Sequence, residues 1–268
     1  MFLQAGIVAA FAMAASGVPL VASTQASAAS AEVHAVEITS APSQATEGDR
    51  ITIKAKVASP RKADRVQLQE RQVDIYGNAS WVTVRSRSVR GTARHTFTVV
   101  ADGINREHYR ARATYRQGKA AVSKRKGVTV WRWISLTNYR PYYSTYGISA
   151  TPYSNFAMNG RQYIGWYTYS SYRAWEARYT PGRNCKAFRG ELGVRDESND
   201  GSRAIITLLT EEDQVLFESP VLTPGAVTKV SVSMARPYRF TVRAADVSSE
   251  GVHALPAIGD PFFLCTGI

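Results

Sequence analysis

The sequence predicts an all-β protein made of two antiparallel sandwiches in tandem. Three observations carry that expectation. Short runs alternate apolar with polar residues, as half-buried strands do. Turn signals rich in Gly, Pro, Asn and Asp separate these runs at a spacing of about ten residues. No helical period competes with the alternation.

The chain opens on thirty-one residues that include no Asp, Glu, Lys or Arg. Residues 5–23, AGIVAAFAMAASGVPLVAS, are apolar and small, and lead into Ala26-Ser27-Ala28 and Ala29-Ser30-Ala31, both A-x-A cleavage signals. Gly17 and Pro19 interrupt the run and no second apolar run follows, so residues 1–31 read as a secretory signal peptide rather than a membrane span. The expected location is secreted, extracellular or wall-associated. No later segment is apolar enough to hold the mature chain in a bilayer.

Residues 32–132 form the expected first domain. A polar lead ends in ITSAPSQATEGDR, whose Pro and Gly-Asp mark a turn. The strands expected next are ITIKAKV (51–57), RVQLQER (65–71), SWVTVRSRSV (80–89), HTFTVV (95–100), HYRARATY (108–115) and GVTVWRW (127–133). SPRKAD, YGNAS, RGTA, ADG and RQGK supply the turns between them. Runs of this length and spacing read as an antiparallel sandwich. The pattern resembles an immunoglobulin-like or fibronectin-III-like bacterial domain. That resemblance implies Trp81 near the core and Tyr109 near the corner between the strands called E and F; it specifies a fold and no chemistry.

Residues 133–268 form the expected second domain. A loop segment rich in Tyr, Ser, Pro and Asn precedes the strands AWEARY (174–179), AFRGELGV (187–194), RAIITLLT (203–210), QVLFESPVL (214–222), TKVSVSM (228–234) and YRFTVRAA (238–245). Glu211-Glu212-Asp213 is the expected hairpin turn between the strands at 203 and 214. The order is consistent with a jelly-roll type β-sandwich. Two cysteines, Cys185 and Cys265, are an even count in an exported chain, which predicts one disulfide.

MNGRQY, AWEARY, CKAFRGELGVRDESNDG, AIITLLTEEDQVLFES and VSVSMARPYRFTV together resemble the NPCBM family of carbohydrate-binding modules. Asn159-Gly160, Tyr163, Phe188, Gly193, Asp196, Phe217 and Val230 fall where that family's pattern would put them, over about residues 133–265. The resemblance implies a non-catalytic, glycan-recognising sandwich. Relatives often carry a histidine shortly after the N-G-x-x-Y element; here that stretch reads GWYTYSSY.

Charge is distributed unevenly. Residues 32–134 hold 20 Lys and Arg against 9 Asp and Glu, whereas residues 135–268 hold 13 against 12. Arg85 with Arg87, and Arg110 with Arg112, alternate with apolar residues and are expected to form a solvated basic face that attracts anionic wall polymer. Nucleic acid is disfavoured, because base stacking needs aromatics interleaved with basic groups and here the aromatics lie in the other half. The acidic clusters DESND (196–200) and EED (211–213) sit at turns rather than as facing carboxylates, which argues against a glycosidase. DESND offers oxygen ligands but not the spacing of a calcium loop. Four scattered His and two Cys give no zinc-type spacing. No catalytic signature is present, so neither enzyme activity nor cofactor nor metal is expected.

Ten of the fourteen Tyr lie between residues 139 and 179. GWYTYSSYRAWEARY (165–179) divides at Ser170-Ser171. Beyond the break Trp175, Ala177 and Tyr179 share the core face of a strand, with Glu176 and Arg178 opposite. Before it the rings occupy both faces, so Trp166, Tyr167 and Tyr169, with Tyr172 at the edge, are the candidate carbohydrate platform. The expected function is recognition of glycan or cell-wall polymer. The alternative is a structural or protein-interaction role at the cell surface.

Overall fold

The computed structural model describes residues 35–103 and 105–267. The expected signal peptide, residues 1–31, lies outside the described residues. Among the described residues there is no α-helix, only three single 3₁₀ turns at Arg116–Gly118, Leu136–Asn138 and Glu211–Asp213. No helix among them is long and apolar enough to cross a membrane.

The first half runs β1 (Val36–Ser40), β2 (Gln44–Thr46), β3 (Arg50–Val57), β4 (Ala63–Val73), β5 (Ala79–Ser88), β6 (Arg94–Val100), β7 (Arg106–Tyr115), β8 (Ala120–Val122) and β9 (Lys126–Ser135). One sheet has the order β1-β3-β6; the facing sheet runs β5-β4-β7-β9. Strict alternation in β3 and β6 turns Ile53, Ala55 and Phe97 inward to meet Val66, Leu68, Ala111 and Val128. Tyr109 is buried, and its hydroxyl donates to Glu107 Oε2 at 2.6 Å, while Glu107 Oε1 accepts from the Asp102 and Gly103 amides. Trp81 is not in the core. It pairs with Arg71 on the outer face of β5, where the Arg110 guanidinium lies 4.3 Å from its ring centroid.

The second half runs β10 (Tyr143–Ser144), β11 (Ile148–Ser149), β12 (Asn155–Met158), β13 (Arg161–Thr168), β14 (Ala174–Tyr179), β15 (Cys185–Val194), β16 (Ala204–Thr210), β17 (Gln214–Glu218), β18 (Val227–Ser233), β19 (Phe240–Asp246) and β20 (Pro256–Cys265). One sheet has the order β10-β14-β19-β16-β17. In the other, β20 pairs with β15 along its length, β15 pairs with β18, and β13 pairs with β20 and β11. Between them Phe188, Phe240 and Phe263 pack at centroid separations of 4.9–5.4 Å, flanked by Trp166, Trp175 and Tyr179. Glu211–Asp213 turns β16 into β17 as expected. Cys185 is bonded to Cys265 across β15 and β20. Closing a loop of 80 residues stabilises by about 4 kcal/mol on the chain-entropy account.

β9 belongs to both halves. Its first residues pair with β7 and β2, and its last four, Arg132–Ser135, pair with Phe262–Cys265 of β20. Trp131 is buried at the crossing: its indole donates to Gln44 Oε1 at 3.0 Å, and Lys186 and Arg236 cover its ring. Arg132 pairs with Glu47 at 2.6 Å.

Candidate functional site

At one end of the second sandwich the segments 145–147, 169–173, 195–203 and 247–255 come together, because β13, β15 and β19 all finish there and β14, β16 and β20 all start there. Tyr146 is the hub. Its ring centroid lies 6.0 Å from that of Tyr169 and 6.0 Å from that of Tyr172, both edge-on. The three rings are 71 %, 50 % and 56 % exposed, respectively. Gly147 makes this gathering possible. Its φ is +86°, it accepts the Tyr169 amide, and a Cβ there would lie 1.9 Å from Ser170 Oγ. Ser170 Oγ in turn accepts the Trp175 indole at 3.1 Å, fastening the loop to the core.

The four expected platform residues do not form one surface, although the Tyr167 ring lies 6.4 Å from that of Tyr169. Tyr169 and Tyr172 are exposed and share Tyr146 as neighbour. Tyr167 is half-buried under the β12–β13 hairpin, 5.2 Å from Phe156 and covered by the Arg195 guanidinium at 4.6 Å. Trp166 is fully buried opposite Ile258, so it is a core residue and not a surface for ligand. The physical reason is that β13 is covered on both sides, by the sandwich core on one and by β12 on the other, so rings on both faces of the strand find cover.

Beneath the loops lies a polar layer that sequence reading did not single out. Arg195 is buried; it donates to the Thr168 carbonyl at 3.1 Å and pairs with Glu197, while its Nε has no hydrogen-bond partner. Asp246 accepts the Ser248 amide with one oxygen; its other oxygen faces His253 Nδ1 at 4.0 Å, and neither atom is otherwise satisfied. Arg173 crosses the same end to reach the carbonyls of Ser248 and Ser249. His253 has no motif around it, and only the chain topology brings it to Asp246. The ring density of 139–179 was the signal available for Tyr146.

The site continues onto the outer face of β14 and β19. Tyr143 and Thr145, just before Tyr146, border a shallow hollow of about 510 Å³ whose floor includes Glu176, Arg178, Thr207 and Arg243. Glu176 accepts from Arg243 Nε at 2.5 Å and pairs with Arg178, while Arg243 also reaches Asp213 at 2.6 Å. Burial pushes the Glu176 carboxyl up, but the hydrogen bonds from Arg243 and Arg178 outweigh it and hold the group below its ordinary value. The exposed Tyr143 ring at the rim and the charged donors and acceptors on the floor offer stacking and hydrogen bonding to a polar ligand.

The acidic loop 196–200 has structural partners. Asp196 accepts the Gly160 amide at 2.9 Å, Ser198 accepts that of Leu255, and Asn199 that of His253. The Asn159-Gly160 turn and Asp196 therefore meet. Among the described residues, the carboxylates that gather closely are Glu70, Asp102 and Glu107, at the polar corner around Tyr109.

The expected basic face also separates. Arg110 and Arg112 lie on the outer face of β7, where they donate to Gln69 and Gln67. Arg85 and Arg87 are paired in register with Leu68 and Val66, on the core side of the sheet. They remain exposed because β5 is an edge strand, and Arg85 reaches across to the Thr98 carbonyl of β6.

No family model matches the chain, and no curated protein matches it. Among solved structures it is similar to the CBM51 module from a Clostridium perfringens GH95 in complex with methyl-galactose, at 17 % identity and TM-score 0.40, covering 49 % of this chain and 99 % of that one. It is also similar to the tandem CBM51 modules of a family 98 glycoside hydrolase from Streptococcus pneumoniae, at 10 % identity and TM-score 0.42, covering 82 % of each chain. A third is the M60 catalytic domain with two CBM51 domains from Clostridium perfringens ZmpB, at 15 % identity and TM-score 0.41; the match covers 87 % of this chain and 31 % of that one.

Proposed function

We propose that the protein is exported by residues 1–31 and acts at the cell surface as a non-catalytic glycan-binding protein. The domain at 133–268 supplies the sugar site, and the basic domain at 32–132 supplies electrostatic contact to anionic polymer. The observation that carries this reading is the convergence of three exposed rings, Tyr146, Tyr169 and Tyr172, on the loop end that also holds Arg195, Asp246 and His253. Sugar C–H faces stack on such rings, and orphaned donors and acceptors beneath them suit hydroxyl groups.

A glycan array, with pulldown on purified peptidoglycan and polysaccharides, tests the reading. Retention is expected for the intact exported protein. Replacing Tyr146, Tyr169 or Tyr172 by Ala is expected to weaken it about tenfold, or about 1.4 kcal/mol, with little change in stability. Trp166→Ala instead destabilises the fold by about 3–5 kcal/mol. No retention on any glycan would sink the reading. Ile75 and Tyr76, almost fully exposed at the β4–β5 hairpin tip, favour a protein partner as the second reading, which crosslinking on cells would reveal.

A further inference from the structure

β5 and β6 are the free edges of the two facing sheets in the first half, and no described strand covers either one. Between them runs a groove of about 560 Å³ lined by Arg87, Ser88, Arg90, Thr92, Arg94 and Thr96, with His95 turned inward at its base. His95 is buried and its Nε2 lies 2.7 Å from the Thr92 carbonyl, which fixes the turn. Arg87, Arg90 and Arg94 have no carboxylate partner among the described residues. Arg94 has another cation, Lys56, as its cross-strand neighbour, and Arg85 follows Arg87 along the same side of β5.

The connection from β5 to β6 is a turn in which the Thr92 amide donates to the Val89 carbonyl at 2.8 Å. Its two central residues are Arg90 at φ +43° and Gly91 at φ +79°. Asn or Gly fits the first of those positions at less backbone cost than Arg does. An arginine therefore stands at a strained position, beside two others, in a groove without acids.

We propose that this groove binds the phosphate groups of a linear, extracellular phosphodiester polymer. Guanidinium forks match the oxygens of carboxylates and phosphates alike. Each phosphodiester presents two non-bridging oxygens that one guanidinium fork can grip, and its two ester oxygens can accept from hydroxyls such as those of Ser88, Thr92 and Thr96, whereas a carboxylate offers its two oxygens alone. Arg85 follows Arg87 two residues along β5, and alternate side chains along a strand are spaced by about 6.8 Å, so a repeating ligand can be followed by successive guanidiniums. The inference rests on the electrostatic half of the proposed function and gives it a place and a chemistry.

The bland account is that cations merely guard two free edges against pairing with another chain. Lysine would serve that purpose equally, and the test turns on this difference. The probe is linear inorganic polyphosphate, titrated into the intact exported protein at fixed salt, with polyglutamate and heparin of matched charge beside it. At least tenfold tighter binding of polyphosphate than of polyglutamate is expected. The triple variant Arg87→Lys, Arg90→Lys, Arg94→Lys keeps the charge and is expected to lose that preference. Arg90→Asn is expected to weaken binding several-fold while the melting temperature stays level or rises, which separates binding from folding. Arg110→Gln with Arg112→Gln, on the outer face, is expected to leave the preference intact.

Equal binding of polyphosphate and polyglutamate, or a preference untouched by the triple lysine variant, overturns the inference while leaving the wider electrostatic contact standing. Heparin binding tighter than polyphosphate overturns it in favour of sulfate esters. If no polyanion binds at all, the inference and the electrostatic half of the proposed function fall together.

Discussion

Glu70 lies on the core side of β4, paired in register with Tyr109 and close to Glu107 and Asp102. Burial, reinforced by those two negative charges, pushes its carboxyl up to about 7 from an ordinary 4.5. Between those values the folded protein holds a proton that the unfolded chain has released. Glu70 therefore makes stability fall as pH rises through that window, and its cost is absent below it. His108 acts in the opposite sense, since burial and the nearby Arg125, Arg106 and Arg71 lower its pKa. The difference between wild type and Glu70→Gln isolates the carboxyl. The melting temperature of the variant should gain on that of wild type between pH 5 and 8, and a constant gap would refute the assignment. Alternation in RVQLQER puts Glu70 on the face of Val66 and Leu68, and β4 keeps that alternation against β7. What the sequence could not show is that Glu107 and Asp102 close on Glu70 there, because that meeting depends on the pairing of β4 with β7. Trp166 is the converse case: GWYTY offers rings to both faces of β13, and Trp166 is on the face that the sandwich core covers, while Tyr167 on the other meets Phe156 of β12, a four-residue strand too short to give a periodic signal.

The longer strands were legible because each is half-buried and keeps its period. β14 is AWEARY over its whole length, with Trp175, Ala177 and Tyr179 inward and Glu176 and Arg178 outward. β2, β8, β10 and β11, of two or three residues each, lie below the length at which alternation can be counted. Loop contacts were not legible either, since 195–203 and 247–255 meet only through the sheet order. The loop carrying Tyr169 and Tyr172 depends on Gly147. A methyl group there would meet Ser170 Oγ, and φ of +86° is itself unfavourable for alanine. Gly147→Ala is expected to break the Ser170–Trp175 hydrogen bond, cost about 2 kcal/mol, and weaken glycan retention with every tyrosine still present. Retention and stability both matching wild type would remove Gly147 from the site.

Among the described residues the two large apolar cores lie one within β1–β9 and one within β9–β20, and β9 contributes to each. The shift in composition near residue 133 was visible as a loss of positive charge and a rise in Tyr. Its meaning in space was not, because nothing in GVTVWRW says that one strand changes partners midway. Trp131 closes that crossing against Gln44, Lys186 and Arg236, drawing on residues from both sides of it. A single calorimetric transition is expected for the wild-type protein. Trp131→Ala is expected to resolve two transitions with the disulfide still intact, whereas one shifted peak would argue against coupling through this residue.

A shared strand also means that no flexible tether separates the arginine groove from the tyrosine loops. Two modules on a tether search for a second ligand at an effective concentration set by chain statistics and tolerate many spacings. Here the separation is built into the sheet, like marks on a ruler. Simultaneous engagement of a polymer at both ends would be strong for one spacing of anionic and neutral groups and absent for others. The stiffness of a single strand would thus select for the architecture of the polymer as well as for its chemistry.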